Sequence, residues 1–248
     1  MTGKSEISST EVSAELAAAA RISHTRPLGT LAEKADPRHT ALLIVDMQND
    51  FCAEGGLVHK AGRDITELQK VGARLPAFID AARAAGNLVV FVRCVYSSDT
   101  NLYMSDVFLE QAARQRSGAG TEYPMCQEGT WQGEFYGDVK PKPGDVVVTK
   151  HRYSAFHNTD LDMILRSHGV RTVVMTGVLA NVCVETTARE AFVRDYYVVM
   201  VEDGTASCVP EDLAMTLKNT ERFFGVVSSI KALSALWSVP RAGLVAAE

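Results

Sequence analysis

The sequence lacks several features that would point to particular classes of protein. It has no CxxC pair for a structural zinc site, and its five cysteines lack the paired spacing of a disulfide framework. No apolar run approaches the roughly 20 residues that a membrane helix needs, and the Ser/Glu-rich N-terminus has no apolar signal core. Lys and Arg do not cluster, which argues against a nucleic-acid or membrane partner. A reducing, cytoplasmic location is therefore predicted.

The composition suits a large globular domain. The 248 residues are 46% hydrophobic and 22% charged, with a net charge of −5, so a sizeable core can be buried. This length fits one large α/β domain or two small ones. Residues 1–38 are small, polar and poorly patterned, which predicts an arm that is disordered or ordered only against a neighbouring subunit. We assign residues 39–248 to the folded domain.

From Thr40 onward, short apolar runs alternate with helix-patterned stretches. Most of the runs are continuous in Val, Ile, Leu and Met, which is typical of strands buried on both faces of a parallel sheet. The pattern predicts one three-layer α/β/α domain with a parallel six-stranded sheet. The predicted strands are Ala41–Asp46, Leu88–Val95, Asp145–Lys150, Thr172–Thr176, Tyr197–Glu202 and Val226–Ile230. The predicted helices are Ala73–Ala85, Ser105–Gln115, Thr159–His168, Val182–Asp195 and Glu211–Phe224.

Glycine and proline bear on the ends of these helices. Gly86 and Gly169 follow two of them at the position of a C-terminal cap, and Thr159 or Asp160 can cap the start of the third. Pro76 is compatible with a helix only near its first turn. The pattern therefore does not fix where the first helix begins. The long stretch 96–143 is irregular and rich in glycine, and its aromatic side chains favour a pocket wall or a subunit contact.

The candidate catalytic residues follow the predicted strands. Asp46 ends the first strand, Lys150 ends the third, and Cys183 begins the helix after the fourth. Because ligands of open α/β sheets bind beyond the carboxyl ends of the strands, these three side chains should share one edge of the sheet. Singly, each has an ordinary alternative: a turn cap, a solvated lysine and a small buried hydrophobe. Their combination at one edge favours a catalytic site.

The expected surroundings of Cys183 suit a nucleophile. A helix N-terminus favours an anion, and a nearby Lys150 ammonium would favour the thiolate further. Backbone N–H groups of the preceding turn can stabilise an oxyanion. Asp46 can take the thiol proton and later deliver it to a leaving nitrogen.

Two long motifs carry a family resemblance. The segment Leu42–Phe51 (LLIVDMQNDF) resembles the first-strand motif of isochorismatase-like hydrolases, and Thr176–Ala191 (TGVLANVCVETTAREA) resembles their nucleophile motif. The resemblance runs from about Thr40 to Ile230. It implies Cys183 as the nucleophile, Asp46 as the general base and acid, and Lys150 as the cation. It also implies a cis peptide between Val178 and Leu179, an oxyanion hole made by the N–H groups of Leu179 and Cys183, a strand order of 3-2-1-4-5-6, and a dimer or tetramer.

The same motifs place the chain within that superfamily. Isochorismatases proper lack the nucleophilic cysteine, so the presence of Cys183 favours hydrolysis of a C–N bond. Nicotinamidases carry an Asp/His metal motif after the second strand, whereas Val92–Asp99 contains no histidine here. The resemblance therefore implies no metal and no cofactor. His151 and His157 are interpreted as pocket or structural residues.

The segment Lys150–Thr159 (KHRYSAFHNT) most resembles the ureidoacrylate amidohydrolase branch, whose relatives hydrolyse N-carbamoylsarcosine, biuret or triuret. One departure is Cys94-Val95-Tyr96, where that branch has an Asn/Trp pair. Arg93 and Arg152 are candidates for binding a substrate carboxylate, with surface salt bridges as the alternative. The predicted polar pocket residues are Gln48, Tyr153, Asn158 and Asn181, and the predicted apolar walls are Phe51, Tyr96, Trp131 and Phe156.

Other functions stay open at this point. A hydrolase of a maleamate or lactam amide shares the triad and differs only in its pocket. A non-catalytic binding member of the fold is a second alternative. A redox-sensing thiol protein is a third, and it requires a resolving cysteine such as Cys208 near Cys183.

Overall fold

The structure, a computed structural model, describes residues 26–96, 103–116 and 125–239. The predicted fold is confirmed: six parallel strands form one sheet in the order β3-β2-β1-β4-β5-β6, with helices on both faces. The strands are β1 (Thr40–Val45), β2 (Leu88–Cys94), β3 (Val146–Lys150), β4 (Thr172–Val178), β5 (Tyr197–Ala206) and β6 (Val226–Ser228). The helices are α1 (Leu31–Lys34), α2 (Asn49–Cys52), α3 (Leu57–Lys60), α4 (Thr66–Ala85), α5 (Asp106–Arg116), α6 (Leu161–Ser167), α7 (Glu185–Val193), α8 (Pro210–Asn219) and α9 (Ile230–Trp237).

Each face of the sheet has its own apolar core. Successive residues of a strand point to opposite faces, so Leu42 and Ile44 of β1 pack into one core while Leu43 and Val45 pack into the other. Helices α4 and α9 cover the first face, and α6 and α7 cover the second. All of β1 is buried, which explains why its sequence is continuously apolar rather than alternating.

Strand β5 continues beyond its predicted end at Glu202. A register shift between β4 and β5 near Met175 lets pairing resume, with Gly177 opposite Thr205 and Val178 opposite Ala206. Strand β4 is correspondingly longer than predicted. Both extensions carry the sheet further towards the candidate site.

Helix α4 differs from the expectation based on its proline. The helix begins at Thr66, so Pro76 lies in its middle rather than near its first turn. Proline in a helix interior removes one hydrogen bond and costs about 3 kcal/mol. The helix continues because buried side chains on both sides of the proline, such as Leu75 and Phe78, pack on the sheet. Gly86 ends the helix in the left-handed conformation, at φ +86°, as a cap glycine should.

The segment before β1 packs against the domain from Arg26 onward. Ala35 is buried, and its carbonyl accepts a hydrogen bond from Trp237 Nε1 at 2.9 Å. The backbone N–H of Leu28 donates to the Tyr197 hydroxyl at 2.9 Å. The predicted arm of residues 1–38 therefore includes a part, 26–38, that contacts its own domain. Residues 1–25 lie outside the described part of the chain.

The irregular stretch after β2 is tied to the carboxyl edge of the sheet. An isolated antiparallel bridge joins Gln48 to Phe135, and the Tyr136 N–H donates to the Met47 carbonyl at 2.8 Å. Helix α5 lies in this stretch, close to its predicted position. In the described ranges, no helix is long and apolar enough to cross a membrane.

Candidate active site

Three side chains predicted at strand ends meet at one point. Asp46 directly follows β1, Lys150 is the last residue of β3, and Cys183 lies in the turn after β4. Lys150 Nζ lies 2.7 Å from Asp46 Oδ2 and 3.4 Å from Cys183 Sγ. Asp46 and Lys150 are fully buried, and Cys183 is 4% exposed. The acid, the cation and the thiol therefore form one buried cluster.

Lys150 reaches this cluster from the edge of the sheet. Strand β2 lies between β3 and β1, and Lys150 is in register with Cys94. Its long side chain crosses the end of β2, and Nζ also donates to the Arg152 carbonyl at 3.1 Å. The ammonium thus contacts a carboxylate, a thiol and a carbonyl. This arrangement holds the lysine charged in a site without water contact.

A glycine allows β4 to approach β1 next to Asp46. Gly177 has φ +105°, and a Cβ added there would lie 2.0 Å from the Val45 carbonyl oxygen. Any side chain would therefore collide with the backbone of β1, besides occupying a strained conformation. Asp46 itself has φ +53°, which non-glycine residues rarely adopt. The close contact brings the chain after Val178 beside the Asp46 carboxylate.

The turn that carries Cys183 differs from the prediction. Sequence predicted a regular helix from Val182, whereas residues Ala180–Val184 form a π-helical turn that leads into α7. The peptide bond between Val178 and Leu179 is cis, as the resemblance implied. The Leu179 carbonyl accepts from the N–H groups of Val182 and Val184.

Burial adds an effect on Cys183 that the sequence did not reveal. It raises the pKa of the Cys183 thiol well above its usual value, the Asp46 carboxylate raises it further, and the Lys150 ammonium opposes both. The helix end and the lysine favour a thiolate, whereas the loss of water around the sulfur disfavours it. This direction is consistent with a base that takes the thiol proton, the role predicted for Asp46.

Asp46 shares the Lys150 ammonium with the Cys183 sulfur. Burial raises the pKa of Asp46, while the Lys150 ammonium lowers it in part. Burial alone would lower the pKa of Lys150, but the negative charges around it hold that pKa well above the usual value. Lys150 therefore stays charged, and Asp46 is the acidic group of the cluster.

A cavity of about 280 Å³ opens above the thiol. Its walls are mostly apolar and come from segments that are far apart in the chain. The described lining residues are Phe51, Leu57, Val58, Ala61, Arg63, Tyr96, Met104, Phe108, Ala112, Met125, Tyr153, Leu179, Asn181, Val182, Cys183, Cys208, Val209 and Asp212. This volume lies just below the roughly 300–1,000 Å³ of pockets for drug-sized ligands, so it suits a small molecule.

Four predicted pocket residues lie on this lining: Phe51, Tyr96, Tyr153 and Asn181. The side chain of Asn181 already has two protein partners. Its Nδ2 donates to Asp212 Oδ2 at 3.0 Å, and its Oδ1 accepts from the Ser207 hydroxyl at 2.8 Å. Asn181 therefore belongs to a group of three polar residues, together with Asp212 and Ser207.

Gln48, Trp131, Phe156 and Asn158 are not part of the described lining. The amide of Gln48 donates to the carbonyls of Cys94 and Gly133 and accepts from Cys94 N–H, so it ties the irregular loop to the sheet. Trp131 is 50% exposed. Phe156 is buried in the core on the second face of the sheet, which α6 and α7 cover. Sequence position beside a strand end predicted proximity correctly but not the direction of each side chain.

The two arginines considered for a substrate carboxylate have other partners. Arg93 Nε donates to Thr149 Oγ1 at 2.9 Å, along the sheet edge. Arg152 donates to the carbonyls of Tyr103 and His151, and its guanidinium lies 4.8 Å from the Phe108 ring centre. Neither lines the cavity in the described part of the chain.

Sequence reasoning missed much of the cavity wall. Arg63, Phe108, Val209 and Asp212 all line it, yet none follows a strand in a way that would mark it. They come from the connection before α4, from α5 and from the start of α8. Their proximity to Cys183 depends on how these segments fold back over the sheet edge, which no local pattern reveals.

The residues that the structure describes contain no group of three or more His, Cys, Asp or Glu side chains placed to hold a metal ion. Part of the segment used for the no-metal prediction, 97–99, lies outside those residues. All five thiols are unpaired. Cys208 lines the same cavity as Cys183.

Comparisons with known proteins show which family and which structures the chain resembles. The isochorismatase domain model matches residues 40–232. The ureidoacrylate amidohydrolase of Enterobacter sp. (strain 638) is 37% identical over 204 residues, which are 78% of this chain and 87% of that protein. The N-carbamoylsarcosine amidase of Thermoplasma acidophilum is similar in structure, with 29% identity, a TM-score of 0.60, and coverage of 77% of this chain and 96% of that one. An isochorismatase family protein of Desulfovibrio vulgaris subsp. vulgaris str. Hildenborough has 27% identity and a TM-score of 0.68, over 82% of this chain and 100% of its own.

The parallel sheet and the cluster at its carboxyl edge define an α/β hydrolytic enzyme with a buried thiol. The chain belongs to the isochorismatase family, and within that family it is an amidohydrolase. The family and the enzyme class predicted from the sequence are both confirmed.

Proposed function

We propose that the chain is a cysteine-dependent amidohydrolase that cleaves a ureido or carbamoyl C–N bond through a covalent intermediate on Cys183. The observation that carries this proposal is the position of the Lys150 ammonium, which touches both the Asp46 carboxylate and the Cys183 sulfur at the base of a cavity. A buried acid, cation and thiol in mutual contact is the arrangement that an activated nucleophile requires.

The first half of the reaction forms a bond to sulfur. Asp46 takes the thiol proton while Cys183 Sγ attacks the carbonyl carbon. The carbonyl oxygen becomes an oxyanion, which the N–H groups of Leu179 and Cys183 stabilise. Asp46 then passes its proton to the leaving nitrogen, the C–N bond breaks, and ammonia or an amine departs. A thioester or thiocarbamate remains on Cys183.

Lys150 supports this half without exchanging its proton. Its pKa is held well above the usual value, so the ammonium persists throughout. Because Nζ is 3.4 Å from the sulfur, its charge stabilises the thiolate character that develops during attack. The same charge lowers the pKa of Asp46 against the effect of burial, and an ionised Asp46 is needed to accept the thiol proton.

The second half returns the enzyme to its starting state. Asp46 removes a proton from water, the resulting hydroxide attacks the acyl carbon, and the C–S bond breaks. The proton returns to Cys183. A thioester releases a carboxylic acid, and a thiocarbamate releases a carbamate that decomposes to carbon dioxide and the second nitrogen product. That product is an amine where ammonia left first, and ammonia where an amine left first. No oxidant, reductant or metal takes part in these steps.

The substrate in this proposal is a small ureide. The cavity is small and mainly apolar, which suits a planar carbamoyl group presented to the thiol. The names of the relatives from Enterobacter and Thermoplasma acidophilum support an N-carbamoyl or ureidoacrylate-like compound, and biuret and triuret belong to the same chemical class. A homo-oligomer, dimer or tetramer, acting in the cytoplasm on this small-molecule substrate without a cofactor completes the proposal.

The test compares ammonia release by wild type, Cys183→Ala and Cys208→Ala on ureidoacrylate, N-carbamoylsarcosine, biuret and triuret. We expect turnover of at least one ureide by wild type and Cys208→Ala, and a loss of at least about a thousandfold in Cys183→Ala. Cys208 is the matched control because it is the other thiol of the same cavity. Mass spectrometry of rapidly quenched enzyme should show the acyl adduct on Cys183.

Two results would contradict the proposal. Undiminished turnover by folded Cys183→Ala would show that Cys183 is not the nucleophile. No ammonia from any ureide, with turnover of nicotinamide, maleamate or a lactam instead, would move the substrate to another class of amide.

A further inference from the structure

One cation lies on the described wall of the cavity and has no role in the proposed chemistry. Arg63 is in the connection between α3 and α4 and lines the cavity together with Cys183. Its side chain is exposed at the mouth, away from the buried cluster. All of the other described lining residues are apolar, neutral or acidic. The described wall of the cavity therefore carries one positive charge, that of Arg63, and one negative charge, that of Asp212.

The guanidinium of Arg63 makes no ion pair or hydrogen bond within the described part of the chain. The two nearby carboxylates have other partners. Asp64 Oδ1 accepts from the Thr66 N–H at 2.9 Å at the start of α4, and Asp212 Oδ2 accepts from Asn181 at 3.0 Å. Arg63 thus keeps its donors for a ligand, in contrast to Arg152, which donates to two backbone carbonyls.

Arg63 also lies near Cys208, the second thiol that lines the cavity. Burial raises the pKa of Cys208, the charge of Arg63 lowers it, and Asp64 and Asp212 raise it. The guanidinium therefore lies close to a thiol that shares the cavity with Cys183. A ligand whose carbonyl is at Cys183 can extend along this wall towards Arg63.

We propose that Arg63 binds a carboxylate at the end of the substrate opposite the scissile carbonyl, so that the enzyme prefers anionic ureido acids to neutral ureides such as biuret. This inference rests on the proposed function and narrows its substrate class. A guanidinium presents two parallel N–H donors that match a carboxylate. Arg63 is a specificity residue, since it lies apart from the sulfur and acts on binding.

The test uses a matched pair of substrates, 3-ureidopropionate and its uncharged isostere 3-ureidopropionamide. Cleavage of the ureido group is followed by mass spectrometry for wild type, Arg63→Gln, Arg63→Lys and the control Arg222→Gln. Arg222 is an exposed arginine outside the cavity lining, so its variant matches the loss of one charge. Circular dichroism checks that each variant is folded.

We expect wild type to have the lower KM for the anion. Arg63→Gln should raise that KM about 10- to 100-fold, the range for loss of a hydrogen-bonded charge pair, with kcat changed less than about threefold. The KM of the amide should move less than about twofold. Arg63→Lys should restore part of the affinity, because it keeps the charge but not the planar pair of donors.

The outcomes separate this inference from the proposed function. Equal KM values for the two substrates, or an Arg63→Gln effect of the same size on both, would overturn the role of Arg63 while ureide hydrolysis stands. An Arg222→Gln effect on the KM as large as that of Arg63→Gln would show that the effect comes from the net charge of the protein. This result would also overturn the role of Arg63. No ureide cleavage by wild type would overturn both proposals together.

Discussion

The floor and the wall of the cavity are built in different ways. The floor is the cluster Asp46, Lys150 and Cys183, which is buried and attached to three strand ends. The wall, from Leu57–Arg63, α5 and the start of α8, consists of helices and connections, and several of its side chains are exposed. The distances among the floor side chains follow from the register of the strands. The distances among the wall side chains depend on helices and connections that are not paired with any strand.

This difference suggests that the floor carries out the reaction and that the wall selects the substrate. Strand ends that are hydrogen-bonded into the sheet, such as those of β1 and the edge strand β3, can place a carboxylate and an ammonium 2.7 Å apart. A connecting segment can change its side chains without moving those groups, because it is packed only on its inner side. Changes in the floor should therefore alter turnover and stability, and changes in the wall should alter which substrate binds.

The largest effect is expected for the buried ion pair. Asp46→Asn and Lys150→Met should each lower turnover by about a hundredfold or more. Each should also lower the free energy of unfolding by about 3–5 kcal/mol, because each leaves one buried charge or donor without its partner. The double variant should lose less stability than the sum of the two. Urea unfolding followed by circular dichroism and ammonia release measure both effects.

An ion pair on the surface supplies the control for these single and double variants. Lys70 Nζ lies 2.6 Å from Glu67 Oε1 on α4, and both side chains are about half exposed. Glu67→Gln should change the unfolding free energy by no more than about 1 kcal/mol. Fully additive losses in the Asp46/Lys150 double variant would show that the two groups are not energetically coupled, and would remove the physical basis for the floor described above.

The pH dependence should also distinguish floor from wall. Burial raises the pKa of Asp46, and the reaction needs this group ionised, so kcat/KM should rise with pH along a limb that lies above the ordinary Asp value of 3.8. In the residual activity of Lys150→Met the limb should move to higher pH, because the ammonium that lowers the pKa of Asp46 is gone. Asp212→Asn, in the wall, should leave the limb in place.

The measurement is kcat/KM for one ureide across the pH range in which the enzyme stays folded. A limb that moves in Asp212→Asn but not in Lys150→Met would assign the essential base to the wall instead of the floor.

The smallest effect compares two aromatic residues of the irregular stretch. Phe108 lines the cavity, whereas Trp131 is 50% exposed outside it. Phe108→Ala should raise KM about tenfold, in line with roughly 1.5 kcal/mol of lost apolar contact, and Trp131→Ala should change KM less than about twofold. Steady-state kinetics on the same ureide decide between them. The reverse order would restore the sequence-based choice of Trp131 as a pocket residue.

The parts of the site that could be predicted share one cause. Asp46 and Lys150 each end a short apolar run, and parallel strands bring their carboxyl ends to one edge. Phe51, Tyr153 and Asn181 were predicted in the cavity because they lie within a few residues of those ends. Arg63 has no such marker, and Gln48 has one but turns its amide to the backbone.

The burial of the Cys183 thiol shows the limit of prediction from sequence more sharply. The sequence indicated a helix end and a lysine near Cys183, which together favour a thiolate. It gave no measure of burial, which raises the pKa of Cys183 and so acts against both effects. The π-helical turn that carries the residue is likewise set by how the chain leaves β4 rather than by propensity.

By itself the sequence determined the parallel sheet, the order of its chemistry-bearing strand ends and the identity of the acid, the cation and the thiol. Period and strand position are local properties, so they can be read along the chain. Only the tertiary structure decided the burial of Cys183, the direction of Gln48 and Trp131, and the presence of Arg63 on the cavity wall. Those depend on desolvation and on contacts between segments far apart in sequence, which exist only once the chain has folded.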